Sequence, residues 1–131
     1  MKVEPASAEL LEIARAAILS EIAPALPEGQ RYAALMAANA LAIAGRGLAV
    51  PDTSAGELAR LAALLPGMDP GGETDAALRE ATARLAKAIR EGRFDEGEAR
   101  AALLAHLRQA VRERLAVSNP RALSRDERTP T

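Results

Sequence analysis

Tyr32, Leu35, Met36, Asn39, Ile43 and Arg46 succeed one another at spacings of 3, 1, 3, 4 and 3 residues. Those intervals set all six side chains along one face of a helix. Three of them carry polar groups, so the first question is what chemistry they could do. An asparagine alone is neither an acid nor a base, so Asn39 does not run a proton transfer by itself. An amide inside an apolar stripe needs partners for both its oxygen and its nitrogen. The stripe therefore predicts that Asn39 is packed and hydrogen-bonded, either to another helix or to a partner chain. Tyr32 can bury its ring while its hydroxyl reaches an edge. Arg31 and Arg46 stand at opposite ends of the same helix. A guanidinium in either place suits a phosphate or a carboxylate, and it equally suits a surface ion pair.

The rest of the chain offers less. His106 is the only histidine, and its position predicts a place between the apolar stripe and the polar face of its helix. No HExxH or Glu-x-x-His spacing surrounds it, so no metal ligand is assigned. Asp95, Glu96 and Glu98 cluster at one helix start, where the helix dipole already accounts for acids. The segment PGMDPGGE, residues 66–73, is glycine-rich but has neither the GxxxxGK[ST] pattern nor a preceding strand, so it is a loop and not a phosphate cradle. With no cysteine in the chain, thiolate catalysis, disulfides and cysteine-bound zinc are excluded. No catalytic residue and no metal ligand follows from these patterns.

The elements that must position these residues are helical throughout. Ala and Leu supply most of the apolar volume, and Tyr and Phe occur once each. Strong helix formers thus dominate while strand formers are scarce. The expectation is an all-α bundle of about five helices whose alanine faces allow close packing. Helix one is predicted over 7–22, capped by Ser7, with Leu10, Leu11, Ala14, Ile18 and Ile22 on one face. Helix two follows over about 29–46, ending near Gly45 and Gly47. Helix three is predicted over 54–65, with Leu58, Leu61, Ala62 and Leu65 inward. Helix four, over 75–91 and capped by Thr74 or Asp75, turns Leu78, Ala81, Leu85 and Ile89 inward. Helix five, over 96–116 after an Asp95 cap, carries a stripe of Leu104, Leu107, Val111 and Leu115. Pro120 prevents its simple continuation. A short extension through Ala122 and Leu123 is compatible with the pattern. Residues 1–123 are expected to form a single helical domain, and 124–131 a mobile tail.

With 131 residues, the chain has room for one modest core. Its net charge of −1 is uneven. Residues 1–78 carry five basic and ten acidic side chains, and residues 79–131 carry twelve and eight. The asymmetry could steer an anionic partner or organise an interface. The arginine faces lack interleaved aromatics and no helix-turn-helix is marked, so nucleic acid is not expected as a partner. The amino-terminal stretch lacks a continuous apolar core and no run approaches the length of a bilayer span, so the expectations are a cytoplasmic protein and no membrane span. The composition leaves a homo-oligomer open.

The opening ELLEIARAAILSEIAPALPEGQRYAALMAANALAIAG, with its core RYxxLMxxNAxAI, and the late SNPRAL segment resemble a bacterial family of all-helical domains of unknown function, DUF6285. The resemblance spans roughly residues 8–123. Arg31, Tyr32, Asn39 and Pro120 match its pattern, whereas Gly47 stands where the pattern has an acid. Members of that family resemble small proteins encoded beside aminoglycoside-phosphotransferase-like kinases and acyl-CoA dehydrogenases. One such protein supports a kinase acting on hydroxyacyl-CoA thioesters in levulinate breakdown. The resemblance thus implies a non-catalytic accessory subunit, not an enzyme by itself, bound to a phosphotransferase-like kinase. The chain alone would bind no cofactor, and ATP and Mg would come through the partner. Arg31, Tyr32, Asn39, Arg46 and Pro120 are then candidate interface or structural polar residues. The alternative is a small acyl-CoA or organic-anion binding module acting through arginines.

Overall fold

The computed structural model describes residues 4–126, and every regular element among them is helical. Helix α1 is Ser7–Ala17, prolonged by a π-helical turn, Ile18–Ile22, and a 3₁₀ turn, Ala23–Ala25. Helices α2 (Glu28–Ala49), α3 (Ser54–Leu64), α4 (Thr74–Arg90), α5 (Gly97–Ser118) and α6 (Pro120–Asp126) follow. The expected all-α class holds, with five substantial helices and the short α6. Packing divides the chain into a terminal unit, Met1–Pro51 with Arg114–Thr131, and a central unit, Asp52–Glu113.

The central unit owns the large-residue core. Leu58, Leu61 and Leu65 from α3 and its end meet Ala81, Leu85 and Ala88 of α4, joined by Phe94 and by Leu103 of α5. Each leucine so buried contributes roughly 1.5–3 kcal/mol of transfer free energy. The PGMDPGGE loop is pinned to this core by the half-buried Met68. Helix α4 starts with Glu73 as its cap, whose carboxylate accepts from the Asp75 and Ala76 amides. The expected cap, Thr74 or Asp75, lies one or two residues further on, because a glutamate at the boundary reaches two orphan amides at once. The helix ends at Gly92, whose φ of 79° lets Arg93 N–H donate back to Ala88 C=O at 3.1 Å. That closure requires the left-handed conformation glycine adopts freely.

The terminal unit packs on small residues. Among the described residues its buried apolar side chains are Ala23 and Ala38, and α1 lies against α2. At Gly45 an added Cβ would stand 3.9 Å from Leu11 Cβ, which measures how near the two helices come. Ala6, not Ser7, is the cap of α1, and its amide donates to Glu9 Oε2 at 3.0 Å. The π turn precedes Pro24, which has no N–H to give to the preceding turn and crowds its carbonyls; a widened turn absorbs that conflict.

Two expected faces are turned outward in part. The stripe Leu104, Leu107 and Val111 of α5 is exposed, while Leu103, His106 and Ala110 face inward. His106 is therefore buried, not at a boundary. On α2 the first part of the apolar stripe is turned outward, with Tyr32, Leu35 and Met36 69%, 45% and 47% exposed, while Ile43 and Arg46 further along it are half-buried. On α2 the small Ala38 takes the packed side, whereas α5 packs a face one residue earlier along the chain, Leu103, His106 and Ala110, so counting large apolar residues did not select the face. Helix α2 continues through Gly45 and Gly47 to Ala49. Of the expected tail, 127–131 lies outside the described residues, and the backbone of 124–126 forms the end of α6.

Candidate functional site

Within the terminal unit, a hollow of about 310 Å³ opens between α1, α2 and the junction of α5 with α6. From α1 it takes Arg15, and Leu19 follows from the π turn. The flank of α2 contributes Leu35, Ala38, Asn39, Ala42 and Arg46, and the chain's turn into α6 contributes Ser118, Asn119, Pro120 and Arg121. Pro120 ends α5 because it has no N–H to continue the ladder, and its fixed φ opens α6 as the first residue. That break is what brings Asn119 and Arg121 to the rim.

Arg46 is fixed in place. Its Nε donates to Val117 O at 2.6 Å and one terminal nitrogen donates to Ser118 O at 3.4 Å. These are the orphan carbonyls at the end of α5, so the side chain serves as a C-terminal cap across elements. Both acceptors are neutral, so the bonds orient the guanidinium without cancelling its charge. Arg15 pairs with Glu12 at 3.0 Å, with 35% and 64% of the two side chains exposed; solvent screens such a pair strongly. None of the eleven lining residues is acidic.

Three of the five candidates, Asn39, Arg46 and Pro120, thus come together in one hollow. Asn39 is exposed in the chain by itself; of the two expected placements, packing against another helix is corrected, because Ala38 takes the packed position one residue earlier. Arg31 lies elsewhere, donating to Ala23 O at 3.2 Å and Leu26 O at 3.3 Å, where it ties down the end of the first helical stretch. Tyr32 projects from the outward face of α2. Sequence reasoning missed Arg15, Asn119 and Arg121. Asn119 and Arg121 flank Pro120 in the SNPRAL segment, the one signal that could have raised them. An added Cβ at Gly47 would stand 3.6 Å from Val117 Cγ1, beside the carbonyl that Arg46 caps.

The central unit has a polar cluster of another kind. Glu113 Oε2 accepts from Arg60 Nη2 at 2.7 Å and Oε1 accepts from Gln109 Nε2 at 3.0 Å. Burial pushes the Glu113 carboxyl up, but the Gln109 and Arg60 hydrogen bonds, the Arg60 charge and a contribution from His106 outweigh it and hold the carboxyl below its ordinary value. With the Glu113 side chain 13% exposed, this cluster fastens α3 to α5. Among the described residues no group of three or more histidines, cysteines or carboxylates is arranged to hold a metal ion. By length and composition alone α2 could cross a bilayer, a criterion that core helices of water-soluble bundles also meet.

The sequence profile of a domain of unknown function, DUF6285, matches residues 24–122, and the chain belongs to that family. No curated protein and no solved structure matches it significantly.

Proposed function

We propose, with DUF6285 membership as the premise, that the chain is a non-catalytic accessory subunit that docks onto a phosphotransferase-like kinase acting on hydroxyacyl-CoA. The partner follows from the resemblance drawn on RYxxLMxxNAxAI and SNPRAL. The observation that supports docking is the uncovered apolar surface of the terminal unit. Leu10 and Ile13 on α1 are 52% and 59% exposed, Tyr32, Leu35 and Met36 on α2 are exposed as well, and Leu35 lines the hollow. Tyr32, Leu35 and Met36, three and one residues apart on α2, make neighbouring apolar side chains, which mark an interaction surface more than singly scattered ones do. The kinase would bring ATP, Mg²⁺ and the phosphoryl-transfer groups, and this chain would bring a helical face.

Reconstitution tests the reading. Product formation from ATP and a hydroxyacyl-CoA is measured with each protein alone and with both, and complex formation is followed by sedimentation. The expected result is no turnover by this chain alone, a stable complex, and more turnover by the pair than by the kinase alone. Leu35→Glu and Met36→Glu should abolish the complex while leaving this chain folded. Turnover by the isolated chain, or no complex with the kinase, overturns the proposal.

A further inference from the structure

We infer that the hollow of the terminal unit is a binding site for a small organic dianion, a phosphate monoester or a dicarboxylate. This goes beyond the docking role and does not depend on it. The chain has two asparagines, Asn39 and Asn119, eighty positions apart, and both line this one hollow. Arg15, Arg46 and Arg121 line it with them, and no acid does. Planar guanidinium forks match the oxygens of phosphate and carboxylate, and amide nitrogens add neutral donors around them.

The arrangement is partly preorganised. Arg46 is held by two neutral carbonyls, so its orientation is set while its charge remains available to a ligand. Arg15 has an exposed carboxylate beside it, which a bound anion can displace at little cost. Several guanidiniums on a lining without acids favour two negative charges over one. Leu19 and Leu35 give the wall an apolar side, suited to a short carbon chain. A volume of about 310 Å³ is at the small end of ligand sites, which sets the ligand's size.

A second basic hollow shows what sets this one apart. In the central unit, Arg84, Lys87 and Arg93 line a hollow near Leu65, but Glu91 lines it too. Glu91 stands 3.8 Å from Lys87 and 3.3 Å from Arg93. There the acid belongs to the lining itself, whereas Glu12, the partner of Arg15, stands outside the lining of the first hollow.

The test uses the full chain without any partner, so its failure leaves the docking proposal intact. Calorimetry measures methyl phosphate, succinate and butyrate, the last a monoanion of similar size. The expected result is a dissociation constant on the order of 0.1 mM for at least one dianion, and about tenfold or more weaker binding of butyrate. The tighter of the two dianions identifies the headgroup. Raising salt from about 50 mM to about 500 mM should weaken binding several-fold. In an NMR titration, the side-chain amide resonances of Asn39 and Asn119 should shift together with the heat. Arg15→Gln, whose loss removes only a surface pair, should weaken binding about tenfold while the helical circular dichroism is unchanged. Arg46→Lys keeps a charge but loses the fork and should weaken binding as well. No heat with either dianion, binding that leaves both asparagine amides unmoved, or equal affinity in Arg15→Gln overturns the inference.

Discussion

The two units differ in what they bury, although both leave some large apolar side chains exposed. The central unit buries leucines and a phenylalanine, and it holds a carboxylate between an arginine and a glutamine out of reach of most solvent. In the terminal unit alanines are buried, leucines and a tyrosine are left outside, and three arginines surround an open hollow. Large side chains directed inward stabilise a fold; the same side chains directed outward cost solubility and are retained where something covers them. The large-residue core thus lies in the central unit and the open arginine-lined hollow in the terminal one.

The largest effect that can break this contrast is a core truncation. Leu61 is 1% exposed and is the largest fully buried side chain. Leu61→Ala should cost about 2–5 kcal/mol, from lost transfer energy and the cavity left behind. Leu35→Ala, at a residue 45% exposed, should cost less than about 1 kcal/mol. Urea unfolding of both variants checks the pair. Similar losses at the two sites would abolish the difference between the units.

Next in size is the Glu113 cluster. Glu113→Gln keeps the shape of the side chain but removes the charge that Arg60 meets at 2.7 Å, and it should cost about 1–3 kcal/mol at neutral pH. The carboxyl is held below its ordinary value in the folded chain, so the unfolded chain takes up its proton first as the pH falls. The contribution is complete above the ordinary glutamate range and is lost as pH falls through the depressed native value. Urea midpoints from neutral pH downward should therefore fall less steeply in Glu113→Gln than in the parent. Parallel slopes would remove Glu113 from the acid response.

How far this organisation was legible in the sequence depends on which residues carry it. In the central unit Leu58, Leu61, Leu65, Ala81 and Leu85 of α3 and α4 were readable from helical spacing, but the rule failed there at Ile89, Leu104, Leu107 and Val111, which are exposed. In the terminal unit the same rule failed on α2. Close approach of α1 and α2 selects Ala38 and leaves Leu35 and Met36 outside, and a period alone does not say whether the large or the small stripe is packed. The same ambiguity placed His106 at a boundary when it is buried. For the hollow, Asn39, Arg46 and Pro120 were legible as polar candidates. Their meeting with Arg15, Asn119 and Arg121 was not, because it joins chain segments far apart in sequence through the cap that Arg46 places on Val117 and Ser118.

That cap gives a prediction of intermediate size within the terminal unit. Arg46→Met keeps much of the apolar stem but leaves the Val117 and Ser118 carbonyls without their donor. It should cost about 1 kcal/mol, the order of one hydrogen bond to a charged donor set against solvent that can replace it. Hydrogen exchange should speed up in the last turn of α5, while the amides of α4 keep their protection. Uniform acceleration across both helices would mean that the two units do not differ in the way their side chains indicate.

The smallest expected effect on stability is at Asn39, and it sharpens the comparison most. A buried asparagine would be costly to replace by leucine, because its former partners would be left unsatisfied. Here the side chain is exposed on the rim of the hollow. Asn39→Leu trades one solvated group for another on a helix surface and gains slightly in helix propensity. Its unfolding midpoint should stay within about 0.5 kcal/mol of the parent. Dianion binding should nevertheless weaken, since a neutral donor is lost at the rim. A large loss of stability with binding unchanged would place Asn39 among packing residues after all, and would move the terminal unit toward the behaviour of the central one.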